Sequence, residues 1–408
     1  MAEQDRMQSG TGRIAIVGGG PAGLVAAIAL ARRGISTTVL ERDAHPDLAP
    51  RFNPDRSYTI DITGHGLRAL RHIDATSYFD ARLMPFRGLQ YEDHVVEDWT
   101  EPGWTGSRGD ILRALMALIT DAYQDLIHIE FGCKVTAVDV RAATLTYTPP
   151  GGEATPRPFD LIVGADGAGS VVRRAMNEQI AGFTVQTKSL PNYLTMIELD
   201  RLSDQLDPTY LQALATRPFC VAGAIKGDED SDLPRWFCGI GTKRTLSFDS
   251  EDKARRYLRK ACPRVLDLAS PKALSEFAER TCYHIGQKLL CSQLNGGAAV
   301  LIGDAAGPFP PIGQGVNAAM EAAMVLSESI DAAPDLSTGA ASYSLQWKPE
   351  LDAVSWISEK MLFENRLHTL RANLTMRAGI NVIGQAKSSQ KSYAQVRADA
   401  QRYGPLWT

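Results

Sequence analysis

The chain has 408 residues, a formal net charge of -4 and 22% charged residues, which leaves no electrostatic case for a nucleic-acid partner and room for two or three structural units. No stretch approaches ~18 uninterrupted apolar residues and the first twelve are polar, so neither a spanning helix nor a signal peptide is expected. The six cysteines (133, 220, 238, 262, 282, 291) show no metal-ligand spacing, which fits reduced core thiols in a cytoplasmic protein without a metal.

Residues Arg13 to Asp43 read as strand, tight turn, helix, strand. Ile14 to Val17 is a short apolar run, as for a strand buried on both faces. Gly18, Gly20 and Gly23 form G-x-G-x-x-G, with Ala27 further on. The first glycine allows the turn, the second lets the backbone approach a pyrophosphate, and the third lets helix and strand pack closely. The helix N-terminus turns free amides toward the phosphates. A second strand, Thr37 to Leu40, ends at Glu41, about 20 residues past the glycines, where a ribose hydroxyl needs an acceptor. Arg42 beside it joins the candidate cofactor contacts. The pattern implies a dinucleotide; it does not separate FAD from NAD, and a glutamate at the ribose argues against NADP in this pocket.

Residues 44 to 64 carry Pro46, Pro50 and Pro54, a loop, before a strand over Tyr58 to Thr63. Arg56 at that junction could meet a phosphate or simply be solvated. Gly66 to Arg71 opens a helix. Residues 84 to 105, with Arg87, Tyr91, Trp99 and Trp104, alternate patchily. A helix is expected over Asp110 to Tyr123, with Leu112, Leu115, Met116 and Ile119 on one face. Phe131 to Val140 and Ala143 to Tyr147 read as a hairpin.

Asp160 to Gly164 is an apolar strand running into the acidic, glycine-rich turn Ala165 to Ser170, which offers amides and a carboxylate to a polar ligand. From about 181 to 287, strand-like runs (Tyr193 to Leu199, Phe219 to Ile225, Trp236 to Thr242) suggest a separate, largely antiparallel sheet, with a helix over Ser250 to Cys262. Ala298 to Ile302 is again a strand. It enters Gly303-Asp304, then a proline-glycine loop, then Gly313-Gln314-Gly315-Val316-Asn317 and a helix over Ala318 to Ile330: a further ligand-binding turn. Residues 345 to 377 read as long helices. The tail holds Tyr393, Tyr403 and Trp407.

The three turns occur in order and together resemble the single-component flavin-dependent aromatic hydroxylases that share the p-hydroxybenzoate hydroxylase fold. DGAGSVVR matches that family's D-G-x-x-S-x-x-R, with Asp166, Gly167, Ser170 and Arg173. GDAA matches its G-D motif, with Asp304, and RGDILRALM is similar to its R-x-x-L-x-x-x-L helix start, with Arg108 and Leu112. The resemblance implies a mixed α/β (α+β) architecture. A Rossmann-like FAD-binding domain (residues 1–83, 105–180 and 288–344) is interleaved with an antiparallel-sheet substrate domain (84–104 and 181–287), and C-terminal helices follow (345–408). It also implies non-covalent FAD, NADPH or NADH as co-substrate, and hydroxylation of an aromatic small molecule by O₂ through a flavin C4a-hydroperoxide, in a monomer or homodimer. Glu41 would hold the adenosine ribose and Asp304 the ribityl chain. Asp166 would serve FAD and the nicotinamide cofactor. Gly313 to Asn317 would lay a helix N-terminus against the flavin pyrimidine.

Within that class the resemblance is closest to kynurenine 3-monooxygenases. It is carried by DRSYTIDITGHGLRAL, by MPFRGL, and by PELDAVSWISEKMLFENR, which places Glu364 and Arg366 on family positions. The substrate set departs from them. Leu89 stands where those enzymes place an arginine, Gly103 where they place a tyrosine, and Met361 where they place an asparagine. Gly307 replaces a histidine, the following loop is one residue short, and Ala322 replaces an acid. The implied substrate is less polar than kynurenine, of the kind found in specialised metabolism. Arg87, Tyr193, His284, Glu364 and Met361 are the substrate-region candidates, and for Arg87, Tyr193, His284 and Glu364 the structural reading outweighs the catalytic one. Alternatives are a flavin halogenase, whose W-x-W-x-I-P signature is absent, and a flavin-binding protein without turnover.

Overall fold

In the computed structural model the described residues are 13–49, 59–91, 94–200, 206–216, 218–228, 233–360, 381–388 and 390–402. Arg56, Met361, Glu364 and Arg366 lie outside them.

A six-stranded sheet has the order Asn295–Gly296, Ala299–Leu301, Leu161–Gly164, Ile14–Val17, Thr37–Glu41, Ile127–Phe131. All its pairings are parallel except the short first one. IAIV, LIVG and AVL are buried along their whole length, as expected of strands covered on both faces. The helix Pro21–Ala31 covers one face; from Ala22 on every residue is buried, because the helix Gly315–Asp331 packs over it. Val17, Gly164 and Leu301 end adjacent parallel strands, so the turns after them meet at the carboxyl edge of the sheet. That edge is where open parallel sheets hold ligands.

The second sheet has eight strands in the order Tyr283–His284, Tyr193–Leu199, Arg235–Thr242, Phe219–Ile225, Tyr210–Thr216, Met84–Tyr91, His94–Gly106, Ile60–Ile62. Its pairings are antiparallel apart from Tyr210–Thr216 on Met84–Tyr91. One face lies under the helices Glu251–Ala261, Pro263–Leu268 and Pro271–Glu279, which bury Ile197, Cys220, Ala222, Trp236, Cys238 and Ile240. Three of the six cysteines therefore pack as core thiols in this layer.

Several boundaries differ from expectation. Ile60–Ile62 is the edge strand of the second sheet. Val185–Ser189 and Gln287–Cys291 pair in a ribbon of their own. The expected hairpin gains a third strand, Thr155–Pro158, whose two prolines are admissible on an exposed edge. The helix expected from Asp110 starts at Arg108, because Ser107 and Asp110 form a reciprocal capping box, and it passes into a π turn at Ile119–Tyr123. The helix expected from Ala318 starts at Gly315, and Leu336–Lys360 is one continuous helix.

Candidate cofactor and substrate site

Gly18 has φ +105°, and a methyl there would lie 2.5 Å from the Ala165 carbonyl oxygen, so the first two turns touch at backbone level. The carboxylate of Glu41 accepts from Gly19 N (2.5 Å) and Asp43 N (2.8 Å), which ties the second strand's end to the glycine turn. Arg108 reaches over this turn, its Nη2 3.7 Å from where a Gly20 methyl would sit. Arg42 is exposed, 3.9 Å from Asp43 Oδ1.

In the second turn Asp166 Oδ2 accepts from Val171 N (2.6 Å), while its Oδ1 is buried with no hydrogen-bond partner. Burial pushes this carboxyl upward, against hydrogen bonds from Ser170, Val171 and Val172. Arg173 joins this turn to the next: Nη1 donates to the Ala305 carbonyl (2.7 Å) and Nη2 to that of Ala168. Asp304 is an exposed side chain in the short helix Gly303–Ala306. Desolvation by the neighbouring protein pushes its carboxyl upward, with Arg108 and then Arg173 opposing.

The last turn is held from behind. Asn317 Oδ1 accepts from Thr63 N (2.9 Å) and Nδ2 donates to the carbonyls of Asp61 (2.9 Å) and Gly313 (2.8 Å), so its side chain is committed to the scaffold. The first bond of this helix is Ala318 N to Gln314 O (2.9 Å), so the amides of Gly315, Val316 and Asn317 precede the ladder and are available to a ligand. A methyl on Gly315 would meet nothing within 4 Å. Leu112 and Val316 pack partly buried against the core and contribute shape.

These features fit a bound dinucleotide: an unpartnered carboxylate oxygen at Asp166, an exposed acid at Asp304, a glycine turn whose backbone is approachable, and free helix amides. The sequence pattern of the FAD binding domain family matches residues 12–345. The chain belongs to that family. Kynurenine 3-monooxygenase of Salinispora arenicola (strain CNS-205) is 26% identical over 97% of this chain and 87% of its own length. That of Salinispora tropica (strain ATCC BAA-916 / DSM 44818 / JCM 13857 / NBRC 105044 / CNB-440) is 28% identical over 88% and 82%. In fold, a variant of 2-methyl-3-hydroxypyridine-5-carboxylic acid oxygenase superposes with TM-score 0.66 at 19% identity, covering 94% of this chain and 98% of that one. PqsL of P. aeruginosa in complex with 2-aminobenzoylacetate gives 0.63 at 18%, covering 86% and 95%. FAD is therefore the cofactor of this chain.

The substrate candidates are scattered. Arg87 is half exposed, paired with Asp98 (3.1 Å) and stacked on Tyr210 (5.4 Å). Tyr193 meets His284 edge-on at 5.2 Å in the sheet's short edge pairing, and His284 is exposed. Gly103 admits no side chain, because a methyl would run into the Ile62 carbonyl. Trp104 donates Nε1 to Asp80 Oδ1 (2.8 Å) and packs on Phe79.

The face of the second sheet turned away from the helices Glu251–Ala261, Pro263–Leu268 and Pro271–Glu279 carries two rows of small and apolar residues. Register places Leu89, Leu211, Gly223 and Phe237 in one row across four strands, and Val221, Gly239 and Met196 in the next. Thr59 leans on Gly223, donating Oγ1 to its carbonyl (3.0 Å), and the chain runs straight on to Asp61 and Thr63 behind the flavin turn. The first row ends in carboxylates: Glu97 opposite Leu89, and Glu198, which is paired with Arg235 (2.9 Å). Sequence reasoning missed this row, because small and apolar residues in strands look alike whichever face they serve. It also missed Asp61, Lys387 and Gln314, whose role is visible only once distant segments meet.

Proposed function

We propose that the protein is an FAD-dependent monooxygenase that uses NADPH or NADH and O₂ to hydroxylate an aromatic small molecule less polar than kynurenine. The observation that carries this reading is the match of the FAD binding domain family over residues 12–345, with the apolar row Leu89–Leu211–Gly223–Phe237 on the second sheet as the candidate ring platform. Bound FAD supplies acceptance of a hydride from the nicotinamide and activation of O₂. Glu41 and the Gly18–Gly23 turn hold the adenosine ribose and pyrophosphate. Asp304 holds the ribityl chain, and its neighbours Arg108 and Arg173 keep the acid among positive charge. The amides of Gly315 to Asn317 point their helix's positive end at the ring edge where negative charge grows on reduction. The apolar wall takes an aromatic face and keeps water from the reacting centre.

The kynurenine 3-monooxygenase relatives and the complex of PqsL with 2-aminobenzoylacetate support an aromatic substrate. Leu89 stands opposite Glu97, and the cation at the other end of the row, Arg235, is already engaged by Glu198, so a carboxylate substrate would have to displace that pair, and a buried carboxylate without a cation is costly. In this reading residues 84–104 and 181–287 form the substrate part, and the protein is cytoplasmic, a monomer or homodimer, and works in specialised metabolism. Among the described residues no helix is long and apolar enough to cross a membrane.

The test is NAD(P)H oxidation across phenols, anilines, indoles and kynurenine, with mass analysis of products. Acceleration by a neutral aromatic with gain of one oxygen is expected. A chlorinated product in the presence of chloride would give a halogenase. Tight FAD binding with no aromatic accelerating NAD(P)H oxidation would give a flavin-binding protein without turnover. Efficient hydroxylation of kynurenine at micromolar KM would overturn the polarity argument.

A further inference from the structure

The C-terminal helix Val382–Lys387 spans from the substrate wall to the flavin turn. Its N-cap, Asn381, donates Nδ2 to Glu97 Oε1 (2.7 Å) on the large sheet, and Asn381 Oδ1 accepts from Gly384 N (2.8 Å). At the other end Lys387 Nζ lies 2.7 Å from Asp61 Oδ2, with side chains only 9% and 7% exposed. The Asp61 carboxylate in turn lies against Gly313, where a methyl would be 2.5 Å from Oδ1. Gly313 has φ +78°, so no other residue fits that turn without strain. One helix later Tyr393, fully buried, donates its hydroxyl to Gln314 Oε1 (2.9 Å) and stacks its ring on His65 at 3.9 Å. Gly313 and Gln314 are thus fixed from behind by groups that belong to neither glycine turn.

A buried ion pair seldom adds much net stability, but it fixes geometry, and a change on one partner leaves an uncompensated charge in place. The pair here sits directly behind a turn whose free amides face a ligand. We propose that Asp61, Lys387 and Tyr393 are positioning residues for the flavin turn, and that the charge balance of the Asp61–Lys387 pair sets how readily the flavin accepts electrons. This rests on the reading that Gly313 to Asn317 face the flavin pyrimidine. Reduction adds negative charge there. Removing the cation makes the region behind the turn more negative and disfavours reduction, whereas removing the anion makes it more positive and favours it.

The test uses FAD-loaded full-length protein and measures the flavin reduction potential by dye equilibration, with FAD affinity by fluorescence titration. Lys387→Met should lower the potential, Asp61→Asn should raise it, and the double variant should return close to wild type. Tyr393→Phe keeps the ring and should weaken FAD about threefold to tenfold, as for one lost hydrogen bond, with little change in potential. A merely structural pair would move both single variants the same way. Shifts of one sign, or no shift in either, overturn the proposal, and the double variant and Tyr393→Phe still report if a single variant fails to fold. Asp304→Ala serves as the control. If it strips FAD while the pair variants do nothing, the pair's role fails and the flavin site stands; if it binds FAD like wild type, the flavin assignment itself fails.

Discussion

The turns at the carboxyl edge of the six-stranded sheet and the helix-free row of the second sheet, proposed above as the FAD wall and the substrate wall, differ in how their polar groups are used. At the turns, Glu41, Asp166, Arg173 and Asn317 are fixed by backbone groups at 2.5–2.9 Å, and each position is set by turns meeting at one sheet edge. On the second sheet, the row Leu89–Leu211–Gly223–Phe237 is held by strand pairing, with Thr59 bonded to the Gly223 carbonyl, and its polar neighbours Glu97 and Glu198 are engaged by Asn381 and Arg235. A shared cofactor needs an over-determined site. A substrate wall needs only shape, so it can change by single apolar substitutions without disturbing the fold.

The largest effect should come from the FAD wall. Asp304→Ala removes the acid proposed to bond a ribityl hydroxyl, and such a bond is worth ~1.5–3 kcal/mol, about tenfold to a hundredfold in FAD affinity. Full FAD occupancy at unchanged affinity in a fluorescence titration would take Asp304 out of the site. Glu41→Ala should follow, at roughly tenfold, because it removes the ribose acceptor and also frees Gly19 N and Asp43 N. FMN, which lacks the adenosine ribose, should bind the variant as it binds the wild type; equal losses for both would mean Glu41 acts only through the turn.

Gly239→Val sharpens the comparison from the other side. A methyl at Gly239 would meet Leu194 Cδ1 at an ordinary 3.6 Å and Val221 O at 3.9 Å, so the strand tolerates it. The rest of the side chain would stand in the space claimed for the aromatic ring. KM for the substrate should rise about tenfold, ~1.4 kcal/mol, with FAD affinity unchanged. An unchanged KM would mean this face does not line the substrate site.

The difference between the walls also decides what was legible in the sequence. The placement of Gly18, Gly20, Gly23, Asp166 and Asp304 at the carboxyl edge could be read because a glycine or an acid at the end of a buried parallel strand faces the one sheet edge where ligands sit. Arg108 was legible only by resemblance, since nothing local says that an arginine at a helix start will cross to another turn. Arg87, Tyr193 and His284 stood out as polar and aromatic, yet the structure spends them on a surface ion pair and a strand-edge contact. The row containing Leu89 and Gly223 was invisible, because its meaning lies in register across four strands distant in sequence. The same holds for Asp61 and Lys387, which are 326 residues apart.

The smallest expected effect lies away from both walls and serves as their control. Glu359, near the end of the helix Leu336–Lys360, accepts from Lys288 (2.7 Å) and from Lys188, tying that helix to the two-stranded ribbon Val185–Ser189 and Gln287–Cys291. Burial works against the charged form, but the hydrogen bonds from the two lysines outweigh it and hold the carboxyl at about 2. A depressed carboxylate contributes stability that is fully present above its unfolded value, ~4.3, and is lost as pH falls through the folded value. The window is therefore about pH 4.5 down to about 2. Lys188 is half exposed, so solvent screening leaves ~1–2 kcal/mol of the shift as real stabilisation. Glu359→Gln should lower thermal stability at pH 7 by that amount and flatten the acid limb of Tm against pH, while FAD affinity at pH 7 stays unchanged. A steep acid limb that survives the substitution would place the acid sensitivity elsewhere. A change in FAD affinity at neutral pH would show that the ribbon is coupled to the cofactor wall.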